Sequence, residues 1–184
     1  MIRRMIEEYK PFDEQEEKDR QVILDWMDKF DNLLTRENEF AHFTSSAIIV
    51  NRARDRVLFV HHNIYDSWGW VGGHADGEKD FLGVAIREAR EETGVKNVRP
   101  VSEKIFLLDT LPVLGHEKRG KYVSAHTHLS VAYLLEADES EELHKKEDEN
   151  SGVKWVPIGE MVGISDEPHM RRVYRKAIKK IARH

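Results

Sequence analysis

The sequence predicts an α/β fold, because runs with strand patterns alternate along the chain with segments of helical periodicity. The predicted strands are 43–50, 57–61, 105–108, 125–135 and a short one at 153–156. The predicted helices are 13–34, 80–93 and one that starts after Ser165 or Asp166. With 184 residues and no internal repeat, the chain fits the size of one domain.

The first predicted helix, 13–34, is amphipathic and opens with Asp13 and Glu16, which resemble a capping box. Its apolar residues recur at helical spacing: Val22, Ile23, Trp26, Met27, Phe30, Leu33 and Leu34. We expect residues 1–40 to form an N-terminal helical extension packed on a main domain of residues 41–184. The sequence leaves three roles open for this extension: it covers the functional site, it forms the contact of a homodimer, or it only packs against the main domain.

The middle of the chain carries turn and helix-boundary signals. The segment 51–56 between the first two strands predicts a hairpin turn, and WGWVGG at 68–73 predicts a glycine-rich loop. The helix over 80–93 stops at Gly94, a residue type that commonly ends helices. The charged segment 138–152 predicts a loop before the final strand.

The last predicted helix has one apolar face with cations around it. The apolar residues are Met170, Val173, Tyr174, Ala177, Ile178 and Ile181. The cations are Arg171, Arg172, Arg175, Lys176, Lys179 and Lys180. Because the helix dipole favours positive charge near a C-terminus, we predict that these cations form a solvated face.

The composition argues against several classes of protein. The chain has no cysteine, which excludes disulfides, thiolate metal sites and a cysteine nucleophile. Its net charge of −5 argues against stable nucleic-acid binding, which uses a basic surface. No apolar run approaches the ~20 residues needed to span a bilayer, and the first residues lack the apolar core of a signal peptide. We therefore expect a cytoplasmic protein without membrane association.

Three carboxylates share one sector of the helix over 80–93. At ~100° per residue, Glu88, Glu91 and Glu92 lie within a ~100° sector beside the apolar stripe. Like charges at this spacing destabilise a helix by ~0.2–0.5 kcal/mol per pair. An acidic run taken alone is more often a solvated face, with Arg87 and Glu91 as an i,i+4 pair. A hard divalent cation such as Mg²⁺, which prefers oxygen ligands, is the alternative explanation.

The segment in front of these glutamates decides between the two explanations. GGHADGE at 72–78 precedes the helix, and REAREETGV at 87–95 ends it. Together they resemble the Nudix box: Gly, five residues, Glu, seven residues, Arg-Glu, an apolar residue, one residue, Glu-Glu, one residue, Gly and an apolar residue. This frame places Gly73 at the first glycine but Lys79 at the first glutamate, whereas the acid here is Glu78. The role of Glu78 is therefore open, while the three helix glutamates keep their positions.

The resemblance implies a Nudix-type α/β/α sandwich with a mixed sheet, carrying the extra N-terminal helix. It also implies a hydrolase that cleaves a diphosphate linkage in a nucleoside diphosphate joined to another moiety. Glu88 and Glu92 would hold the principal Mg²⁺, which Mn²⁺ can replace, and the backbone carbonyl of Gly73 would complete the site. Glu91 would be a further ligand or the general base. Gly72 and Gly73 would let backbone and phosphate approach closely, because neither has a Cβ.

The resemblance leaves the base, the function and the substrate partly open. The base is Glu91 or an acid of the loop before the last strand: Glu147, Asp148 or Glu149. A non-catalytic nucleotide sensor shares the fold but would be expected to lose box glutamates. A diphosphate isomerase shares it too, but relies on a cysteine that this chain lacks. Nucleotide sugars resembling ADP-ribose, dinucleoside polyphosphates and nucleoside triphosphates are all open as substrates.

Aromatic and histidine residues are further candidates for substrate contact. Tyr65, Trp68 and Trp70 flank the glycine-rich loop, where an aromatic ring could stack on a nucleobase; we interpret Trp68 as structural. His126 and His128 point to one face of a strand, the spacing of a transition-metal pair. Because no third ligand is evident in the sequence, we favour contact with a phosphate or the substrate over metal binding.

Overall fold

The computed structural model describes residues 1–118 and 120–184. The helices in these residues are α1 (Ile2–Glu7), α2 (Glu14–Lys29), α3 (Phe81–Thr93) and α4 (Pro168–Ile181), with a short 3₁₀ helix at Ile158–Glu160. The strands are β1 (Ala41–Val50), β2 (Arg56–His62), β3 (Ser67–Gly69), β4 (Val71–His74), β5 (Arg99–Pro100), β6 (Leu107–Val113), β7 (His116–Lys118), β8 (Lys121–Val123), β9 (His126–Glu136) and β10 (Asn150–Pro157). None of the helices in the described residues is long and apolar enough to cross a membrane.

Eight of the described strands form one mixed sheet, and β7 pairs with β8 in a separate hairpin. The order through the centre of the sheet is β10-β2-β1-β9-β5, with β3 on β2, β4 on β1 and β6 on β9. β1 and β9 run parallel, in register from Ala41 opposite Thr127 to Val50 opposite Glu136. The remaining pairs are antiparallel. The β1–β4 pair sets the glycines of β4 beside the central strand of the sheet.

Helices contribute to an apolar core on each face of the sheet. One core contains buried side chains of the first three helices, among them Ile6, Ile23 and Phe81. The other contains the apolar face of α4, including Tyr174 and Ala177. A β-strand sends alternate side chains to opposite faces, so β1 supplies both cores. The predicted α/β architecture with a mixed sheet and an N-terminal helical segment is confirmed.

The N-terminal helical segment differs from its prediction at both ends. Asp13 caps α2 as predicted, since its side chain accepts a hydrogen bond from the backbone N–H of Glu16. The Glu16 carboxylate accepts hydrogen bonds from the hydroxyl of Tyr9, at 2.6 Å, and from the backbone N–H of Phe12, just before the N-cap residue, at 2.7 Å. The helix stops at Lys29, and Leu33 reaches the core from non-helical backbone, so the last turn predicted for it is wrong. Helix α1 was not predicted.

The start of α4 also differs from its prediction. Neither Ser165 nor Asp166 caps the helix: the N-cap residue is Glu167, which makes no side-chain capping hydrogen bond. Pro168 occupies the first turn, where its missing N–H costs nothing. Ser165 instead accepts a hydrogen bond from the backbone N–H of Glu167, at 3.3 Å.

The predicted solvated face of α4 is wrong for two of its cations, Lys176 and Lys180. The side chain of Lys176 is 3% exposed, and its Nζ lies 2.6 Å from an Asp109 carboxylate oxygen and 3.1 Å from one of Glu16. Lys180 also reaches Glu16, at 3.4 Å. Helix α4 is therefore joined to α2 and β6 by buried ion pairs, which helical periodicity alone did not indicate.

The strand boundaries were predicted well for β1, β2 and β9 and poorly elsewhere. β6 lies at Leu107–Val113, later than the predicted 105–108, because it pairs along β9 as far as His126. The glycine-rich segment 68–73 forms most of β3 and β4 and is not a loop. The hairpin of β7 and β8 was not predicted, since no apolar alternation marks it.

Candidate active site

Helix α3 presents its glutamates next to strand β4. Asp80 caps the helix by accepting a hydrogen bond from the backbone N–H of Gly83, at 3.0 Å. Gly94 ends it in the left-handed conformation, with a φ of 78°, as predicted. The buried residues of α3 are Phe81, Val84, Ala85, Ala89, Glu92 and Thr93. One of the three acids therefore belongs to the buried face of the helix.

Glu92 is that buried acid, with an exposed fraction of 2%. Its Oε1 accepts a hydrogen bond from the backbone N–H of Gly72, and its Oε2 accepts one from Nδ2 of Asn150, both at 2.9 Å. Burial raises the pKa of Glu92 to about 7, although the two hydrogen bonds act in the opposite direction. The protein thus holds the Glu92 carboxylate in a buried position, where its negative charge is energetically unfavourable. A cation bound beside Glu92 would offset this desolvation cost.

Glu88 lies directly against the backbone of Gly73. A Cβ at Gly73 would lie 2.6 Å from both Cδ and Oε1 of Glu88, so only glycine permits this approach. Burial raises the pKa of Glu88, and the carboxylates of Glu92 and Glu91 raise it further. Two neighbouring carboxylates beside bare backbone form the kind of oxygen donor set that a hard divalent cation prefers.

Arg87 lies among the acids and explains the position of Glu78. Its Nη1 is 2.7 Å from Oε1 of Glu78, whereas its distances to the carboxylate oxygens of Glu88 and Glu91 are 3.6 Å and 4.0 Å. The acid that is displaced from its expected place in the motif is therefore the main partner of Arg87. The predicted Arg87–Glu91 pair exists only at the limit of ion-pair distance.

Glu91 is the most exposed of the three helix acids. Its side chain is 46% exposed, and Oε2 lies 3.4 Å from Nζ of Lys146. Lys146 in turn lies 3.1 Å from a carboxylate oxygen of Glu149. This lysine links helix α3 to the segment before β10, where the sequence placed the alternative base.

A cavity of about 470 Å³ lies over the glutamates. Its charged lining residues are Arg36, Asp76, Arg87, Glu88, Glu92, Glu117, Lys146, Asp148 and Glu149. Gly72 and Gly73 form part of the same wall. Of the loop acids considered from the sequence, Asp148 and Glu149 line the cavity and Glu147 is not among its lining residues. The cavity thus brings a carboxylate cluster, two glycines and three cations to one surface.

The aromatic residues divide between the cavity and the protein interior. Tyr65 is 40% exposed and lines the cavity, next to Ile64. Trp70 also reaches the cavity but is buried, with its ring edge-on to Tyr174. Trp68 is absent from the cavity wall and packs under Lys154, whose Nζ is 4.0 Å from the ring centroid. Of these three aromatic residues, Tyr65 is therefore the one available to a ligand, and the interpretation of Trp68 as structural fits its position.

A histidine cluster beside the cavity is larger than the sequence indicated. His126 and His128 on β9 lie next to His42 on β1 and His74 at the end of β4. Sequence analysis found the first two and missed the others, because strand pairing brings them together. The structure pairs His42 on β1 with His128 on β9. Predicting this strand register from the sequence would have identified His42 as a neighbour of His128.

The family match agrees with the fold and with the carboxylate site. Residues 41–177 match the model of the NUDIX domain, which is most of the chain. The chain belongs to the NUDIX domain family. The family and its hydrolase relatives support an enzyme of the pyrophosphohydrolase class.

Proteins from several organisms are similar to this chain. An RNA pyrophosphohydrolase of Pelagibacter ubique is 28% identical over 141 residues, which are 72% of this chain and 89% of that one. A CMP-5'-(N-acetyl-N-hydroxy-3-aminopropyl)phosphonate hydrolase of Streptomyces rubellomurinus is 40% identical over 72 residues, 35% of each chain. The structure of a C. elegans Ap4A hydrolase superimposes with a TM-score of 0.58 at 20% identity, over 77% of this chain and 98% of that one. That structural likeness shows a shared fold.

Proposed function

We propose that the protein hydrolyses a diphosphate linkage in a nucleotide-type substrate, using Mg²⁺ held by Glu88, Glu92 and the backbone carbonyl of Gly73. The observation that carries this proposal is the meeting of two carboxylates with raised pKa values beside Gly73, at the wall of a large cavity. Mg²⁺ prefers oxygen ligands and keeps positions for water and substrate phosphate. Mn²⁺ suits similar ligands and is expected to substitute.

The chain's own residues would position the substrate and balance its charge. The divalent cation, when bound, would polarise phosphoryl oxygens and neutralise the charge that develops during cleavage. Arg36, Arg87 and Lys146 line the cavity and would attract an anionic diphosphate. Gly72 and Gly73 leave the β4 wall without side chains, so phosphate oxygens can approach the backbone.

We place the general base among Asp148 and Glu149 ahead of Glu91. A base must come within hydrogen-bond reach of the attacking water, which lies at the cavity. Asp148 and Glu149 line that cavity, whereas Glu91 is not among its lining residues. Glu91→Gln should therefore reduce turnover less than the more damaging of Asp148→Asn and Glu149→Gln. A larger loss for Glu91→Gln would return the role to the helix.

The cavity and the relatives favour a nucleotide-type substrate. Tyr65 offers an exposed ring on which a nucleobase could stack, close to the cationic wall. Relatives named RNA pyrophosphohydrolase and Ap4A hydrolase make RNA oligonucleotides with a 5′ diphosphate or triphosphate, and Ap4A, the first substrates to test. Nucleotide sugars resembling ADP-ribose and nucleoside triphosphates complete the panel.

The proposal is tested by phosphate release over this panel, with Mg²⁺ or with excess EDTA. We expect turnover that needs millimolar Mg²⁺ or Mn²⁺ and that falls by orders of magnitude in Glu88→Gln and Glu92→Gln. Glu103→Gln, an exposed acid away from the cavity, is the matched control and should keep wild-type activity. Full activity in EDTA would refute the metal assignment. Tight nucleotide binding without turnover of any substrate would favour the sensor alternative.

A further inference from the structure

The four histidines beside the cavity form a cluster that the carboxylate site does not use. The ring centroids of His42, His74, His126 and His128 lie 4.7 to 5.2 Å apart in the five neighbouring pairs. Strand pairing sets this arrangement: His42 lies opposite His128 on the parallel strand β9, and His74 lies opposite Thr44, two residues along β1. The cluster is thus built on regular sheet, not on a loop.

The hydrogen bonds of the cluster fix where two of its lone pairs lie. Nδ1 of His42 is 3.0 Å from the backbone carbonyl oxygen of Asn38, and Nδ1 of His126 is 2.8 Å from that of Ser124. A carbonyl oxygen only accepts, so each Nδ1 carries the hydrogen and each neutral ring has its lone pair on Nε2. Nε2 of His126 is directed at Nε2 of His128, 3.3 Å away.

The second ring nitrogen of His42, Nε2, is buried. The side chain of His42 is 4% exposed, and its Nε2 has no hydrogen-bond partner among the described residues. A buried polar atom without a partner costs ~1–3 kcal/mol, and such atoms are rare unless they serve a ligand. A ring nitrogen with an inward lone pair, whose other nitrogen donates to a carbonyl, is the usual state of a metal-binding histidine.

A proton is a poor occupant of this cluster, and so is an anion. Burial, together with the smaller effect of the neighbouring rings of His74 and His42, lowers the pKa of His128 to about 2. Burial also lowers the pKa of His42. The rings of His42 and His128 are therefore neutral near pH 7, and the buried Nε2 of His42 carries a lone pair, which suits a cation and disfavours a phosphate. Imidazole nitrogens suit zinc and similar transition metals better than Mg²⁺.

We propose that His42, His74 and His128 bind a transition-metal ion of the Zn²⁺ class, separate from the carboxylate site, at the edge of the catalytic cavity. One ligand atom from each of the three lies within 4.8 Å of the others. Nitrogens bound at ~2.0–2.1 Å in a tetrahedron are ~3.4 Å apart, so small side-chain rotations close the site. All three rings line an adjoining cavity of about 270 Å³, which leaves a fourth position for water or an oxygen of a ligand.

The test measures metal binding to purified protein without a histidine tag, after removal of metals by chelation and dialysis. Co²⁺ should give the visible absorption of a four-coordinate site, and Zn²⁺ should displace it at one equivalent per chain. His128→Gln, His74→Gln and His42→Gln should each weaken Zn²⁺ binding by at least about 10–100-fold, the loss typical of removing even an outer partner of a ligand. His144→Gln, an exposed histidine of another segment, is the control and should bind Zn²⁺ like wild type.

Two further measurements keep the outcome decisive. Zn²⁺ should raise the melting temperature of wild type and of Glu88→Gln equally, because the two sites are separate, and should not raise that of His128→Gln. Circular dichroism establishes whether each variant folds. If His42→Gln does not fold, because this residue is buried, the Zn²⁺ binding of His128→Gln and His74→Gln decides the outcome. No Zn²⁺ binding by wild type, binding that survives in the folded histidine variants, or binding lost in Glu88→Gln would overturn the proposal. None of these readouts depends on hydrolytic activity, so the proposed function stands or falls separately.

Discussion

Glu92 is held by donors from two strands that are far apart in the sequence, Gly72 on β4 and Asn150 at the start of β10. Asn150 has a second feature: its Oδ1 is buried without a hydrogen-bond partner among the described residues. Rotation of this amide by 180° would turn Oδ1 toward Glu92. The Asn150 amide can therefore either donate a hydrogen bond to residue 92 or accept one from it. A neutral amide side chain at position 92 would keep a hydrogen bond to Asn150.

Replacing Glu92 with Gln should therefore leave the metal-free protein at least as stable as wild type. The variant removes a buried charge and its repulsion from Glu88, while its amide can donate to the rotated Asn150. Thermal melting in EDTA measures the difference. With Mg²⁺ at a hundredfold excess over Kd, wild type should gain about 2.7 kcal/mol and the variant much less. A variant that melts well below wild type in EDTA would show that Glu92 serves the fold and not a metal.

The same residue predicts a pH dependence of the metal-free protein. The pKa of Glu92 is raised to about 7 in the folded state from an ordinary value of 4.5, so the folded protein holds this proton more tightly than the unfolded chain. Its contribution to stability is complete below pH 4.5 and is lost as the pH rises to about 7, by at most about 3 kcal/mol. Denaturant melts of wild type and Glu92→Gln between pH 5 and 7.5 should thus diverge, with wild type losing more. Parallel profiles would contradict this.

Glu78 should matter less to turnover than the acids of the helix. It pairs with Arg87 at 2.7 Å, and both side chains are more than 40% exposed. We expect Glu78→Gln to reduce kcat/KM by less than about tenfold, or about 1.4 kcal/mol of barrier. Glu92→Gln, assayed alongside, provides the scale. An equal loss in the two variants would place Glu78 within the metal-binding shell.

At the scale of elements, Gly72 and Gly73 are adjacent on β4 but lie against different neighbours. A Cβ at Gly73 would meet the end of the Glu88 side chain, which can move, at 2.6 Å. A Cβ at Gly72 would meet backbone atoms of Ser45 and Ser46 at 2.9 Å, which cannot move without shifting β1. A side chain at position 73 would thus change the position of the Glu88 carboxylate, whereas a side chain at position 72 would disturb the pairing of β4 with β1.

The two alanine variants should accordingly fail in different ways. Gly73→Ala should lose most of its activity with little loss of stability, because it displaces Glu88. Gly72→Ala should be destabilised by about 1–3 kcal/mol, the usual cost of overpacking. Gly159→Ala is the control, since nothing lies within 4 Å of its added Cβ. Chemical denaturation and phosphate release, measured on all three, check the contrast; equal stability losses at Gly72 and Gly73 would contradict it.

The elements that the sequence predicted best are those specified locally. The bounds of α3 follow from Asp80 and Gly94, which act on the backbone within a few residues. Helical spacing places Glu88 and Glu92 in one sector of α3, but Glu91, which the same spacing includes, does not line the cavity. The contact between Asn150 and Glu92, the histidine cluster and the burial of Lys176 all join segments far apart in the chain. Such contacts depend on strand register and packing, which the residue pattern of one segment does not specify.

At the scale of the whole molecule, Lys176 ties α4 to α2 and β6 through the carboxylates of Glu16 and Asp109. Removing its charge leaves Asp109, which is fully buried, without its cation. We expect Lys176→Met to lower the free energy of unfolding by about 3–5 kcal/mol, the cost of breaking a buried pair on one side. Lys179→Met, exposed on the same helix, should change it by less than about 0.5 kcal/mol. Equal denaturation midpoints for the two variants would contradict the role of the pair.

This ionic junction also sets an order of events during synthesis. Gln15 and Lys176, which share a hydrogen bond in the finished molecule, are 161 residues apart. At ~5–20 residues per second, the ribosome makes the lysine on the order of ten to thirty seconds after the glutamine. Throughout that interval α2 carries Glu16 with no lysine from α4 to receive it. Helix α2 therefore acquires the lysine partners of Glu16 only after all the described strands of the sheet have been synthesised.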